Sequence, residues 1–324
     1  MAIGGIALLA LLAGCATAPS AAAPTPPPAS ASAYRPVTLT NCGYRQRIEA
    51  APQRVVAIKS TSIELMLALG LRDRIVGTAF QDGPVPARWK ADAATLPRLA
   101  EQFPSEEATL GLKPDLVYSG WESAFTPQSA GARSELTSLG VASYVQPAAC
   151  RSAGQPGKLT FTNVFAEIRE AGRIFGVADR AGRLVAAQEK QLAAVKPDTR
   201  KLTALWYSSG DQTPYVGAGI GAPQMVLEAA GLTNIAGSVK QTWTTLGWES
   251  IVADDPDVIV LVDADWNTAQ AKIDALEKNP ATAQLGAVKN RRYLTLPFPA
   301  SEAGVRSVDA VRSLTAQLKE IRTP

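Results

Sequence analysis

Trp121, Trp206, Tyr207, Trp243 and Trp266 all fall at or near the ends of strand candidates, where their rings can sandwich a flat ring system. Each stacked pair adds about 0.5–1.5 kcal/mol beyond area burial, although any single aromatic serves as readily in a core. Lys59 and Arg306 each stand where a strand or loop meets the start of a helix, and the run Gly217–Gly221, with Gly217 and Gly219, offers free backbone amides ahead of Ala222. Those features suit a phosphodiester or a carboxylate; they equally fit a solvated lysine, an ion-paired arginine and a glycine turn. The glycine run lacks the Lys-Ser/Thr of a nucleotide-hydrolysing phosphate loop and departs from the dinucleotide fingerprint. Asp82, Glu122, Asp211, Asp263 and Asp265 also lie near strand ends, where a carboxylate pair across a cleft can run hydrolysis or hold a divalent cation. Nothing in their spacing selects a metal site. The 324 residues include no histidine, which removes the commonest metal ligand, the usual general base and the usual partner of a Ser or Cys nucleophile. A zinc or manganese site and haem capture through an axial histidine are excluded on the same ground. No nucleophile and base come together in a recognisable motif, so no catalytic residue, no cofactor and no metal is expected. A carboxylate-dependent hydrolase and a surface scaffold are the competing readings.

The elements that must position these residues read as two α/β lobes. In the first, Arg54–Ile58, Ile75–Phe80, Asp115–Tyr118 and Val141–Val145 are short apolar or β-branched runs, and Thr61–Leu69 is a helix closed by Gly70. In the second, Leu202–Tyr207, Val258–Val262 and Tyr293–Leu296 are the strands, and Ala222–Ala229 is the matching helix, closed by Gly231. Between them Val177–Lys196 is rich in Ala, Leu, Gln, Glu and Lys, with apolar residues at helical spacing, and predicts one long linking helix. Each lobe is then a mostly parallel sheet with flanking helices, and ligands in such sheets sit beyond the carboxyl ends of the strands. The loops that matter are Lys59–Ser62, Gln81–Pro84, Ser119–Ser123 and Gln146–Cys150. A helical linker hinges less than paired extended strands, so small closure on binding is expected.

An apolar share of 46% with 19% charged residues is that of a globular chain, and a net charge of +3 leaves no nucleic-acid or membrane-surface footprint. Residues 1–14 are apolar, too short to span a bilayer, and end in Leu12-Ala13-Gly14-Cys15, which is similar to a lipoprotein signal with Cys15 as the lipidated residue. No Lys or Arg precedes the run, so the start lies upstream or the signal is atypical. Residues 15–36 are nearly all Ala, Pro, Ser and Thr and read as a disordered tether. The organisation expected is signal 1–14, tether 15–36, first lobe 37–176, linking helix 177–196 and second lobe 197–324. In an exported protein the two remaining cysteines, Cys42 and Cys150, most economically form one disulfide within the first lobe.

The halves echo one another. Ile63–Leu71 resembles Met225–Leu232, and Lys113-Pro114-Asp115-Leu116-Val117 resembles Asp255-Pro256-Asp257-Val258-Ile259. Together with Arg54-Val55-Val56, the central helix and Asn234-Ile235-Ala236, these stretches resemble the substrate-binding lipoproteins of ABC importers for cobalamin, ferric siderophores and haem, from about Arg54 to the C-terminus. Within that family Ile58–Thr61, Ala79–Pro86, Gly120–Ser123, Trp206–Gly210, Pro214–Gln224 and Pro297–Arg306 are most similar to an actinobacterial branch ascribed to import of a deazaflavin coenzyme precursor. The resemblance implies a binding protein, not an enzyme, and an extracytoplasmic, lipid-anchored monomer whose partners are a small-molecule ligand and an ABC permease with its ATPase. It implies a cleft between the lobes, lined by Lys59, Ser60, Thr61, Gln81, Asp82, Trp121, Glu122, Trp206, Tyr207, Tyr215, Gly217, Gly219, Trp243, Trp266 and Arg306. It also implies that Glu64 and Glu228, one per lobe, dock to the permease.

Overall fold

The run Val55–Ile58 carries apolar or small side chains on both faces, and it forms the fully buried middle strand of a parallel sheet. A computed structural model describes residues 1–5, 34–151 and 153–322. Cys15 and the rest of the expected signal and tether, apart from Met1–Gly5 and Tyr34–Pro36, lie outside the described residues. Contacts divide the chain into Met1–Ala33 and one compact body, Tyr34–Pro324, which holds both lobes.

Strands β1 (Val37–Asn41) and β2 (Tyr44–Ile48) form an antiparallel hairpin that the sequence reading did not anticipate. The first-lobe sheet contains β3 (Val55–Ile58), β4 (Ile75–Ala79), β5 (Arg98–Ala100), β6 (Leu116–Ser119) and β7 (Ala142–Val145), all parallel, in the order β5-β4-β3-β6-β7. The second-lobe sheet is built on β8 (Thr203–Ser209), β12 (Val258–Asp263) and β13 (Tyr293–Pro297), which are parallel. At its edges β9 (Tyr215–Gly217) and β11 (Trp243–Thr245) run antiparallel, and β10 (Thr233–Asn234) pairs parallel with β8. The mixed α/β fold with two sheets is the one expected. The short edge strands were missed because two or three residues carry no periodicity.

The sequence echoes have a structural cause. Lys113 (φ 47°) and Asp255 (φ 37°) both adopt the left-handed conformation, and the following prolines aim Asp115 and Asp257 at the start of the neighbouring strand. Asp115 accepts from the Gln53 and Arg54 amides at 2.7 and 2.9 Å, and Asp257 accepts from the Thr203 amide at 2.8 Å. The same cap thus starts β3 in one lobe and β8 in the other.

The linking region is a hairpin of two helices. Phe161–Ile174 begins with a Thr160/Asn163 capping box, and Ala178–Ala193 packs against it after a turn at Gly176 (φ 67°). Gly172 permits this close packing, because a Cβ there would overlap Ala181. Ala178–Ala193 buries Ala181, Val185 and Gln188, and the Gln188 amide reaches the Val305 carbonyl of the second lobe at 2.9 Å.

Candidate functional site

β3 ends at Ile58, and the next residue enters a conformation that normally belongs to glycine: Lys59 has φ 80° and ψ 147°. Such strain costs on the order of 1–3 kcal/mol and persists only where surrounding contacts enforce it. Here they do. The Lys59 side chain is fully buried, its ammonium ion-paired with the equally buried Asp82 that follows β4. Three rings close over the ammonium, Trp121 at 3.4 Å, Phe80 at 4.2 Å and Phe298 at 5.0 Å from their centroids. Ser60 Oγ accepts from the Asp82 amide at 3.0 Å and holds that loop. Gly120 passes so close to Lys59 and Thr61 that any Cβ would overlap both.

The second lobe supplies the other wall. Its segment Pro297–Ser307 leaves β13 and runs against the first lobe, where Trp121 Nε1 donates to Glu302 Oε1 and the Gln146 amide donates to the Ala303 carbonyl. Arg306 donates to Glu64 Oε1 and to the Pro84 carbonyl, each at 3.3 Å. Across the far side, Lys158 pairs with Glu228 at 2.7 Å and the Leu159 amide donates to the Ile220 carbonyl at 2.8 Å. Between these ties lies a cavity of about 90 Å³, lined from the first lobe by Gly120, Trp121, Gln146 and Arg151 and from the second by Gly221, Trp243 and Glu302. A second cavity of about 390 Å³ is lined by Thr78, Gln81, Pro84, Leu96, Arg98 and Asp265. No group of three or more His, Cys, Asp or Glu among the described residues is placed to hold a metal ion.

Two α/β lobes meeting over such a cleft agree with what the sequence matches. Residues 55–300 match the model of a family described as periplasmic binding protein. The chain belongs to that family. It is 31% identical over 273 residues to a cobalamin-binding protein of Halobacterium salinarum, covering 78% of this chain and 67% of the relative. It is 23% identical over 291 residues to YvrC, an ABC transporter substrate-binding lipoprotein of Bacillus subtilis, covering 87% of this chain and 85% of the relative. Among solved structures, an ABC-type Fe3+-hydroxamate transport protein from Saccharomonospora viridis superposes with a TM-score of 0.75 at 29% identity, covering 87% of this chain and 99% of that one.

Within this periplasmic binding protein the expected cleft residues divide. Trp121 and Trp243 line the cavity, with Trp243 stacked on Tyr215 at 5.7 Å and 15°. Glu122 accepts from the Arg151 amide and so orients the wall beside them. Lys59, Ser60, Thr61 and Asp82 form the buried floor under Trp121, Gln81 faces the second cavity, and Trp266 lies exposed against Phe298 at 4.9 Å. Other expectations are corrected. Trp206 and Tyr207 are fully buried in the second-lobe cores, because β8 is a central strand and both of its faces are covered. Gly217 is packed against Pro223 and Trp206, and Gly219 against the Gly237 carbonyl, so neither meets the cavity. Lys59 and Arg306 are committed to Asp82 and Glu64 and are not open anion receptors.

Glu64 is corrected as well. It stands six residues before Gly70, whereas Glu228 stands three before Gly231, and the second lobe brings Arg306 against it at 3.3 Å. It is 1% exposed against Arg306, while Glu228 remains exposed. Sequence reasoning assigned no role to Glu302, Arg151 or Gln146. The strand-end rule had flagged the loop of Gln146, but nothing in the sequence marked Arg151, which follows the disulfide.

Burial sets the charge of three carboxyls. It raises Glu64 to about 7 despite the opposing Arg306, Glu302 to about 7 despite Lys59, and Glu167, beneath the first-lobe sheet and hydrogen-bonded by Tyr118, to about 8. A carboxyl whose folded pKa lies above its unfolded value of 4.5 binds its proton more tightly when folded. The resulting stability is fully present below about pH 4.5 and is lost as pH rises through about 7 to 8. Glu64 alone accounts for roughly 3 kcal/mol, at about 1.4 kcal/mol per pKa unit. The melting temperature is expected to fall between pH 5 and 8.5, and Glu64→Gln to flatten that slope. A melting temperature that climbs through this window contradicts the assignment.

Proposed function

We propose that this protein captures a small organic cargo in the cleft between its lobes and delivers it to the permease and ATPase of an ABC importer. The carrying observation is the cavity itself, built jointly by strand-end loops of both lobes with a tryptophan from each, Trp121 and Trp243. Membership in the periplasmic binding protein family supports transport rather than catalysis. In this reading Cys15 carries the lipid that holds the monomer outside the cytoplasmic membrane, and Glu228, on an exposed helix face, docks to the permease. Paired interface charges of that kind set orientation and register more than raw affinity.

The proposed cargo is a deazaflavin coenzyme precursor, whose flat ring suits walls of tryptophan. A second reading, a corrinoid or a ferric siderophore, is favoured by the names of the relatives in Halobacterium and Saccharomonospora. Both metal complexes arrive with their metal already ligated, so the lack of histidine does not count against them. Thermal unfolding with each candidate at a hundredfold excess over its dissociation constant separates them. Binding to the folded state alone adds about 2.7 kcal/mol, a shift of several degrees. A shift with the deazaflavin precursor alone supports the first reading, a shift with cyanocobalamin or a ferric hydroxamate replaces the cargo, and no shift with any of them rejects these cargoes and revives the hydrolase and scaffold readings.

A further inference from the structure

The cavity of about 90 Å³ is smaller than the roughly 150 Å³ that accommodates one benzene, so a fused ring cannot enter it as it stands. What fills the centre of the cleft is protein. Phe80, Trp121, Phe298 and Trp266 form a chain of edge-on rings, with successive centroids 5.5, 6.4 and 4.9 Å apart. Trp121, within this chain, lines the first cavity, and the two ends, Phe80 and Trp266, are next in sequence to Gln81 and Asp265, which line the second.

Trp121 is the member held by functional chemistry. Its face lies 3.4 Å from the Lys59 ammonium and its ring nitrogen donates across the lobes to Glu302. Beneath it, Thr61 Oγ1 and Glu302 Oε2 are buried and, among the described residues, have no hydrogen-bond partner. Buried polar atoms without partners are rare in native folds and call for a reason. The strained backbone of Lys59 marks the same spot. A cation under a ring face and a carboxyl at the ring edge define a receptor for any flat π system with an edge donor, and the indole meets that description.

We propose that Trp121 occupies the cargo's place: a flat aromatic cargo with an N–H or O–H at its edge displaces the indole, lies on the Lys59 ammonium and donates to Glu302. The inference rests on the reading of the cleft as the cargo site. Swinging Trp121 out breaks its bond between the lobes and exposes Thr61 and Glu302 to the cargo. The resident indole lowers apparent affinity by the fraction of molecules in which it is out, so removing it strengthens binding.

The test is titration of the full chain with hydroxy-deazaflavin riboside and with riboflavin, alongside cyanocobalamin and ferrioxamine. Trp121→Ala is expected to bind the flat probes about tenfold more tightly, as it would if the open form were populated at about a tenth. Adding Glu302→Ala to Trp121→Ala is expected to reverse that gain, and Glu302→Gln, which keeps an acceptor, to retain most of it. Unfolding curves for each variant confirm that it is folded. Flat probes bound more weakly by Trp121→Ala, or a double variant that binds as tightly as Trp121→Ala, overturn the proposal while leaving the cargo site in place. Binding of cyanocobalamin or ferrioxamine alone, unaffected by either substitution, also overturns it and keeps the importer role. Silence with all four probes in every variant removes both.

Discussion

Asp82→Ala is expected to lower the stability of the body by about 3–5 kcal/mol, the cost of leaving a buried cation without its counter-ion. Lys59 and Asp82 are each wholly enclosed, so neither charge is relieved by solvent when the other is removed. The rings around the ammonium stay in place in the variant and still hold the charge in part, which places the result toward the lower end of that range. Adding Lys59→Gly to Asp82→Ala is expected to recover most of the loss. That second change removes the orphaned charge and also the strained φ of 80°, which glycine adopts freely. Urea denaturation of the two single variants and the double variant forms a complete cycle. A coupling energy below about 1 kcal/mol would show that Lys59 is not held by Asp82.

Removing the Cys42–Cys150 link should cost about as much, by a different route. The structure joins these residues as a disulfide with Cα atoms 5.0 Å apart, closing a segment of 108 residues. On the chain-entropy model a loop of that length contributes about 4–5 kcal/mol, chiefly by restricting the unfolded chain. The folded hairpin β1–β2 keeps other anchors: Arg133 donates to the Asn41 carbonyl at 2.6 Å, and Asn41 exchanges hydrogen bonds of 2.8 Å with the backbone of Val145 in β7. Cys42→Ser with Cys150→Ser is therefore expected to retain its near-ultraviolet circular dichroism while its urea midpoint drops. A midpoint shift corresponding to less than about 1 kcal/mol would mean that the unfolded chain gains little freedom when the link is lost. Loss of the native dichroism would mean that the link holds the folded state instead.

Much of the fold was legible because it rests on local patterns. Val55–Ile58, Val258–Asp263 and Tyr293–Pro297 are apolar runs bounded by polar turns, and they form strands at nearly the expected limits. The two Pro-Asp echoes were readable as repetition, and the structure supplies their cause in two corresponding strand caps. The site was legible only as a set of loops. Strand ends pointed to Lys59, Asp82 and Trp121 and to the loop of Gln146. They pointed equally to Trp206 and Tyr207, whose burial depends on what lies on either side of β8.

By itself the sequence determined the absence of histidine chemistry, the two α/β halves, the family to which they belong and the cysteine pair available for a link. These follow from residue type and from spacing within a few turns of chain. Only the tertiary structure decided which charges are spent. Glu64 and Arg306 are 242 residues apart, and Trp121 and Glu302 are 181 apart, yet each pair meets where the lobes close. Whether a side chain faces cargo, solvent or another charge depends on surfaces brought together by packing. Burial then sets the electrostatics, since the same carboxyl that would ionise near 4.5 in water is raised to about 7 at Glu64.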